Sequence, residues 1–139
     1  MTSGRFSISV HILTLLAGTV GEWCSSEYLA GSININPVLV RKELISLKKH
    51  GLIVSKEGKS GGSALAKSAA LIDMSDIYNA VRPEHFLGKS INQPNPRCPV
   101  GKQINQHLAS LYTESEKALV ASLGNMTLAE FCQKFVDFE

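Results

Sequence analysis

The 139-residue sequence predicts a mainly α-helical chain with one small β-hairpin. Three observations predict it. Apolar residues recur at helical spacing in the first fifty positions, in segments bounded by glycine or by capping residues. A β-type run then flanks a glycine-rich loop between residues 52 and 67. A long amphipathic stretch finally runs from Pro99 to about Leu123. Hydrophobic residues make up 44% and charged residues 19%, a balance suited to a packed globular domain rather than a disordered chain. No apolar run approaches the roughly 18 residues of a spanning helix, and residues 1–6 lack the pattern of a secretory leader. A cytoplasmic protein with no membrane partner is expected.

The first helix is expected over about Arg5–Ala17, with Phe6, Val10, Leu13 and Ala17 on one stripe. Ile8, Ile12 and Leu15 add a second apolar face, so this helix is covered on two sides, and Gly18 and Gly21 end it. Ser25 or Ser26 caps a short second helix over about Glu27–Ser32. Asn36 is an N-cap and Pro37 sits at the first helical position, where its missing N–H costs nothing. The third helix runs to about His50 and stops at Gly51. Val40, Leu44 and Leu47 face a core, whereas Val38, Lys42, Ser46 and Lys49 face away, with Arg41 and Lys48 on the flank. Residues 52–57 and 63–67 form two strands around Gly58-Lys59-Ser60-Gly61-Gly62. Helix, turn, helix and hairpin in that order describe a winged helix-turn-helix.

A short fourth helix is expected over 75–81, closing the core. Residues 82–97 hold three prolines and read as a linker. The long helix from Pro99 carries Ile104, Leu108, Leu111 and Ala118 on one stripe. That stripe needs a cover, and a second copy of the chain is the simplest one. Thr127 and Glu130 form a capping box for a last short helix bearing Phe131 and Phe135. The expected division is a DNA-binding head at 1–81, a linker at 82–97, and a dimerisation helix with the C-terminal helix at 98–139.

Charge points to the partner. Residues 1–67 carry eight basic and four acidic side chains, residues 68–139 six and eight, so the front half is the one to meet a polyanion. In a winged helix-turn-helix the start of the third helix faces base edges, which nominates Val38, Arg41 and Lys42. Arginine pairs with guanine through two hydrogen bonds, and valine touches a thymine methyl. Lys48 and Lys49 are placed for phosphates, as is Ser26 at the start of the second helix. The loop Lys59-Ser60-Gly61-Gly62 supplies a charged tip whose glycines let the backbone approach a groove.

Enzymatic readings fail on spacing. The glycine-rich loop lacks the GxxxxGK[ST] pattern and a following helix, the four histidines form no HExxH motif, and no carboxylate pair is spaced for acid–base work. The three cysteines, Cys24, Cys98 and Cys132, are too scattered for a disulfide scaffold or a CxxC metal site. Cys98 alone has a chemical case. It precedes Pro99 at the start of the long helix, beside Arg97, where open N–H groups and the helix dipole favour an anion. A thiolate there would react with oxidants or electrophiles and change the head geometry. A capping cysteine without regulatory work fits the same residues equally well.

Gly4-Arg5-Phe6, Asn36-Pro37-Val38-Leu39-Val40-Arg41-Lys42, Lys48-Lys49-His50-Gly51-Leu52-Ile53, the Gly61-Gly62 wing and Cys98-Pro99-Val100-Gly101 together resemble the Rrf2 family of bacterial winged-helix regulators. That family includes the iron–sulfur cluster repressor, the nitric-oxide-sensitive repressor and the cysteine-metabolism repressor. The resemblance spans nearly the whole chain. It implies a homodimer held by the long helix on a pseudo-palindromic operator in double-stranded DNA. Arg5 is expected to hold a phosphate, and Asn36 is expected among the DNA-contacting residues. Cluster-binding members carry three cysteines around the start of the long helix; here residues 85–107 contain only Cys98, so no iron–sulfur cofactor or other metal is expected. The family's wing often has an arginine before its first glycine. This chain has Glu57, which leaves minor-groove contact to Lys59. The resulting expectation is a DNA-binding repressor with thiol sensing at Cys98. Two alternatives stand beside it: a regulator answering a small effector, with Cys98 incidental, or an interaction module controlled by a partner enzyme.

Overall fold

Helix α1 (Arg5–Ala17) is apolar around most of its circumference, and a computed structural model shows why. The structure describes residues 4–88 and 92–136. Within it, α1 packs against α2 (Ser26–Ile33), α3 (Pro37–Lys49), α4 (Met74–Val81), α6 (Leu128–Cys132) and one strand of the hairpin. Ile12 and Leu13 lose all solvent exposure there. The two apolar faces read from the sequence therefore correspond to a central helix covered on two sides.

The caps set the turn between α2 and α3. The Ser25 hydroxyl accepts the Tyr28 N–H at 3.1 Å, so α2 begins at Ser26, one residue before the expected start. Asn34 takes a left-handed conformation at φ 64° and ends it. The Asn36 amide oxygen accepts the Val38 N–H at 2.9 Å and launches α3 with Pro37 in its first turn. Val40 and Leu47 are fully buried, which fixes the azimuth of the helix.

The hairpin pairs β1 (Ile53–Lys56) with β2 (Gly62–Leu65), antiparallel, from Ile53 opposite Leu65 to Lys56 opposite Gly62. Both strands are shorter than the expected 52–57 and 63–67. A further bridge joins them to the head: the Cys24 N–H donates to the Ser63 carbonyl at 3.0 Å, and the Ser63 N–H donates to the Cys24 carbonyl at 2.8 Å. This bridge explains the wing glycines. A Cβ on Gly62 would stand 2.3 Å from the Cys24 carbonyl oxygen, and one on Gly61 would stand 2.0 Å from that of Lys56. Gly62 also has φ +153°. Both glycines are thus fitted to their own chain, a role the sequence reading did not foresee.

A 3₁₀ turn (Ala69–Leu71) leads into α4, which starts at Met74 because Asp73 and Asp76 form a capping box just ahead of the expected 75–81. Helix α5 (Pro99–Leu123) has the expected bounds and, at 25 residues, a length of about 37 Å. None of its side chains is fully buried. Its lower part lies on α4, where Glu116 accepts the Tyr78 hydroxyl at 3.0 Å and pairs with Arg82 at 3.4 Å. The chain then returns to the head. Thr127 and Glu130 form the expected capping box of α6, the Met74 N–H reaches the Met126 carbonyl, and the Leu128 N–H reaches that of Ile72. Leu128 is completely buried in the core, where α6 packs on α1 and on the 3₁₀ turn. Leu128 therefore seats α6 against the head, across the expected division at 98. Of the expected linker, residues 89–91 lie outside the described residues, as do 1–3 and 137–139 at the ends of the two expected domains.

Candidate nucleic-acid interface

Helix α3 presents two faces fixed by burial. Val40, Glu43 and Leu47 are turned inward. Val38, Arg41, Lys42, Lys48 and Lys49 are all exposed, so the structure brings together on one helix the side chains nominated for bases and phosphates. Lys59 and Ser60 are exposed at the hairpin tip, while Gly61 and Gly62 are half-buried behind them. Ser26 is half-buried in the first turn of α2. Asn36 spends its amide oxygen on the Val38 N–H, which shapes the start of α3.

Two nominated cations already have partners. Arg41 lies 3.4 Å from Glu27 of α2, an open pair with both side chains largely in water. Such a pair contributes little to stability but orients the guanidinium from α2. Arg5 is held much more firmly. Its Nε donates to both carboxylate oxygens of Glu43 at 3.0 and 3.1 Å, and an Nη donates to the Ser46 hydroxyl at 3.0 Å. Glu43 is almost fully buried, and the Arg5 side chain is only 34% exposed. The structure thus places Arg5 as a clamp between α1 and α3 rather than as an open phosphate contact. Glu43 escaped the sequence reading because a glutamate on an inward face is legible only once its partner, 38 residues away, is in place; Ser46, expected to face away with Val38 and Lys42, is half-buried because α1 brings the Arg5 guanidinium against it.

One further side chain was missed. Ile45 is 70% exposed on the outward face, more open than Val38 at 60%. Its signal was available: it stands seven residues after Val38, two helical turns along the same face.

The cysteines occupy three separate environments. Cys24 is buried, with its sulfur 3.1 Å from the Thr19 hydroxyl. Cys132 is half-buried in α6, and burial pushes its thiol up. Cys98 is the exposed one; it forms the N-cap of α5 with no side-chain capping bond, its N–H donating to the Asn95 carbonyl at 3.1 Å. The α5 stripe is open along the chain: Ile104 and Leu108 are half-exposed, and Leu111 and Ala118 are exposed. A cavity of about 590 Å³ lies between α1 and α6, lined mainly by apolar side chains including Phe6, Val10, Leu15 and Phe131, with the His11–Ser32 hydrogen bond at 3.0 Å on its wall. Among the described residues, no helix is long and apolar enough to cross a membrane.

Residues 2–134 match the family described as "Rrf2: Iron-dependent Transcriptional regulator". The chain is 35% identical over 130 residues to a Bacillus subtilis protein named "Putative HTH-type transcriptional regulator YwnA", covering 94% of this chain and 96% of that one. A solved structure described as "a putative DNA binding protein" is 32% identical, covers 91% of this chain and 97% of its own, and superposes with a TM-score of 0.73. Staphylococcus aureus CymR is 25% identical over 97% of this chain and 99% of its own, with a TM-score of 0.67.

Proposed function

The chain belongs to the Rrf2 family of transcriptional regulators, and from that premise we propose that it is a homodimeric repressor that binds a pseudo-palindromic operator through α3. The observation that carries this reading is the outward face of α3, where the exposed basic side chains Arg41, Lys42, Lys48 and Lys49 stand with Val38 on a helix whose opposite face is locked into the core. Val38, Arg41 and Lys42 read base edges in the major groove. Lys48, Lys49 and the start of α2 at Ser26 hold phosphates, and Lys59 with Ser60 brings the wing to the backbone or minor groove. The second copy covers the open stripe of Ile104, Leu108, Leu111 and Ala118 and sets the spacing of the two α3 helices.

The proposed signal is an oxidant acting at Cys98. In its support, Cys98 is the exposed thiol of the three and sits at the root of α5, where a change of bonding would alter how the arm leaves the head. Hydrogen peroxide would transfer one oxygen to the thiolate: the O–O bond breaks, the sulfur loses two electrons to become sulfenic acid, and hydroxide leaves. The residues do not fit an iron–sulfur cluster. Such a cluster needs several thiolates converging on one point, whereas these thiols lie in the α1–α2 turn, before α5 and in α6. No group of three or more potential metal ligands occurs among the described residues. A second reading has its own observation: the apolar cavity between α1 and α6 is large enough for a small effector.

The test is fluorescence anisotropy of the protein on DNA from upstream of its own gene against scrambled DNA, reduced and after mild peroxide, over a range of salt. Preference for its own upstream DNA, weakening with salt and release on oxidation is the expected outcome, with Cys98→Ser still binding but no longer released. Release of Cys98→Ser by peroxide would dismiss Cys98. Tight binding indifferent to oxidation would favour an effector in the cavity.

A further inference from the structure

Ile45 is a large apolar side chain standing in water at the middle of a cationic face. Seven residues separate it from Val38, so the two share one azimuth to within about 20°. Lys42 and Lys49 fall beside them, and the buried Val40 and Leu47 point the opposite way. The face is therefore an apolar ridge of two branched side chains bordered by ammonium groups. Isoleucine gains nothing at an open helical position, where its propensity is below that of alanine or lysine. Its placement suits a partner that is anionic along its rims and offers apolar groups among the polar edges of its floor. The major groove has that character, with phosphates on both edges and the thymine C5-methyl within. A protein partner would need carboxylates against the four basic side chains of α3, of which Arg41 already rests on the exposed Glu27.

We infer that Ile45 is a second reading residue of α3, packing on a thymine C5-methyl group about two to three base pairs from the one met by Val38. Each half-site then carries a pair of thymines at that separation. The inference rests on the assignment of α3 to the major groove and deepens it. The separation follows from geometry: seven residues at 1.5 Å rise place the two side chains about 10.5 Å apart along the helix. Base pairs succeed one another every 3.4 Å or so along the duplex axis and by a longer step along the groove that winds around it.

The experiment selects duplexes from a random pool with the full chain, then rebuilds them with deoxyuridine replacing thymidine one position at a time. That replacement deletes only the C5-methyl. Wild type is expected to lose about fourfold in affinity at two positions per half-site, the worth of one buried methyl each. Ile45→Ala keeps the loss at one of these positions and becomes indifferent to the methyl at the other; Val38→Ala shows the reverse. Alanine is the better helix former and Ile45 covers no core residue, so the variant folds. Equal sensitivity of Ile45→Ala and wild type at every thymine overturns the inference, as does a selected half-site without the thymine pair. A pool that yields no preferred sequence overturns the DNA-reading assignment itself.

Discussion

Removing the Arg5 guanidinium strands a carboxylate inside the head. Glu43 is 3% exposed and takes both of its close charge-assisted hydrogen bonds from Arg5 Nε. Breaking a fully buried ion pair by deleting one partner costs about 3–5 kcal/mol, because the other charge stays buried and uncompensated. Arg5 keeps a third of its side chain in water, so the pair is partly screened and water can follow the truncated side chain. Arg5→Ala is therefore expected to cost about 2–3 kcal/mol, read as a lower urea midpoint at unchanged slope, or roughly 5–10 °C in Tm for a chain of this size. The double replacement Arg5→Leu with Glu43→Leu should recover most of that loss, since it removes the desolvated charge together with its partner. Its DNA binding should keep the wild-type salt dependence. A stability change of Arg5→Ala below about 0.5 kcal/mol would refute the buried clamp. A salt slope reduced by about 1.8, or about 0.9 for each protomer of the dimer, would show that Arg5 leaves Glu43 for a phosphate.

Four other outcomes are expected. Arg41→Ala should cost about 1–3 kcal/mol on the selected operator and relax specificity at one base pair, measured by anisotropy on single-base variants. Leu111→Lys should convert a dimer to a monomer in analytical ultracentrifugation, because it sets charges into the open α5 stripe. Gly62→Ala should lower stability by about 1–3 kcal/mol in urea unfolding, since its Cβ would meet the Cys24 carbonyl oxygen at 2.3 Å and the bridge between wing and head must yield. The Tyr78 phenol is pushed up to about 12, first by burial and then by its hydrogen bond to Glu116 and that carboxylate's charge. A folded-state value above the unfolded one means stability is intact below pH 10 and falls as pH rises from 10 to 12. Tyr78→Phe should flatten that decline relative to wild type in unfolding measured across this range.

Much of the architecture was legible because it is written in local chemistry. Asn36 and Pro37 announce the start of α3, Thr127 with Glu130 the start of α6, and Pro99 with the periodic stripe the extent of α5. These signals act over three or four residues, so a linear reading finds them. The cationic face of α3 was legible for the same reason: helical period alone places Val38, Lys42 and Lys49 opposite Val40 and Leu47. Strand ends were less legible: the ladder runs only from Ile53 opposite Leu65 to Lys56 opposite Gly62, next to the close backbone approach at Gly61 and Gly62.

By itself, then, the sequence determined the order of elements, the caps that bound most helices, and which face of α3 is charged. Tertiary structure decided which of those charges stand open. Arg5 beside α3 and Arg41 on it are both arginines; one is clamped by a buried carboxylate 38 residues away, the other rests on an exposed glutamate of α2. Tertiary structure also decided that Leu128 belongs to the head and that the wing glycines are seats for neighbouring carbonyls. The physical reason is range. Helix period and capping are settled by neighbours along the chain, whereas burial and charge pairing depend on whichever distant segment arrives at the same place.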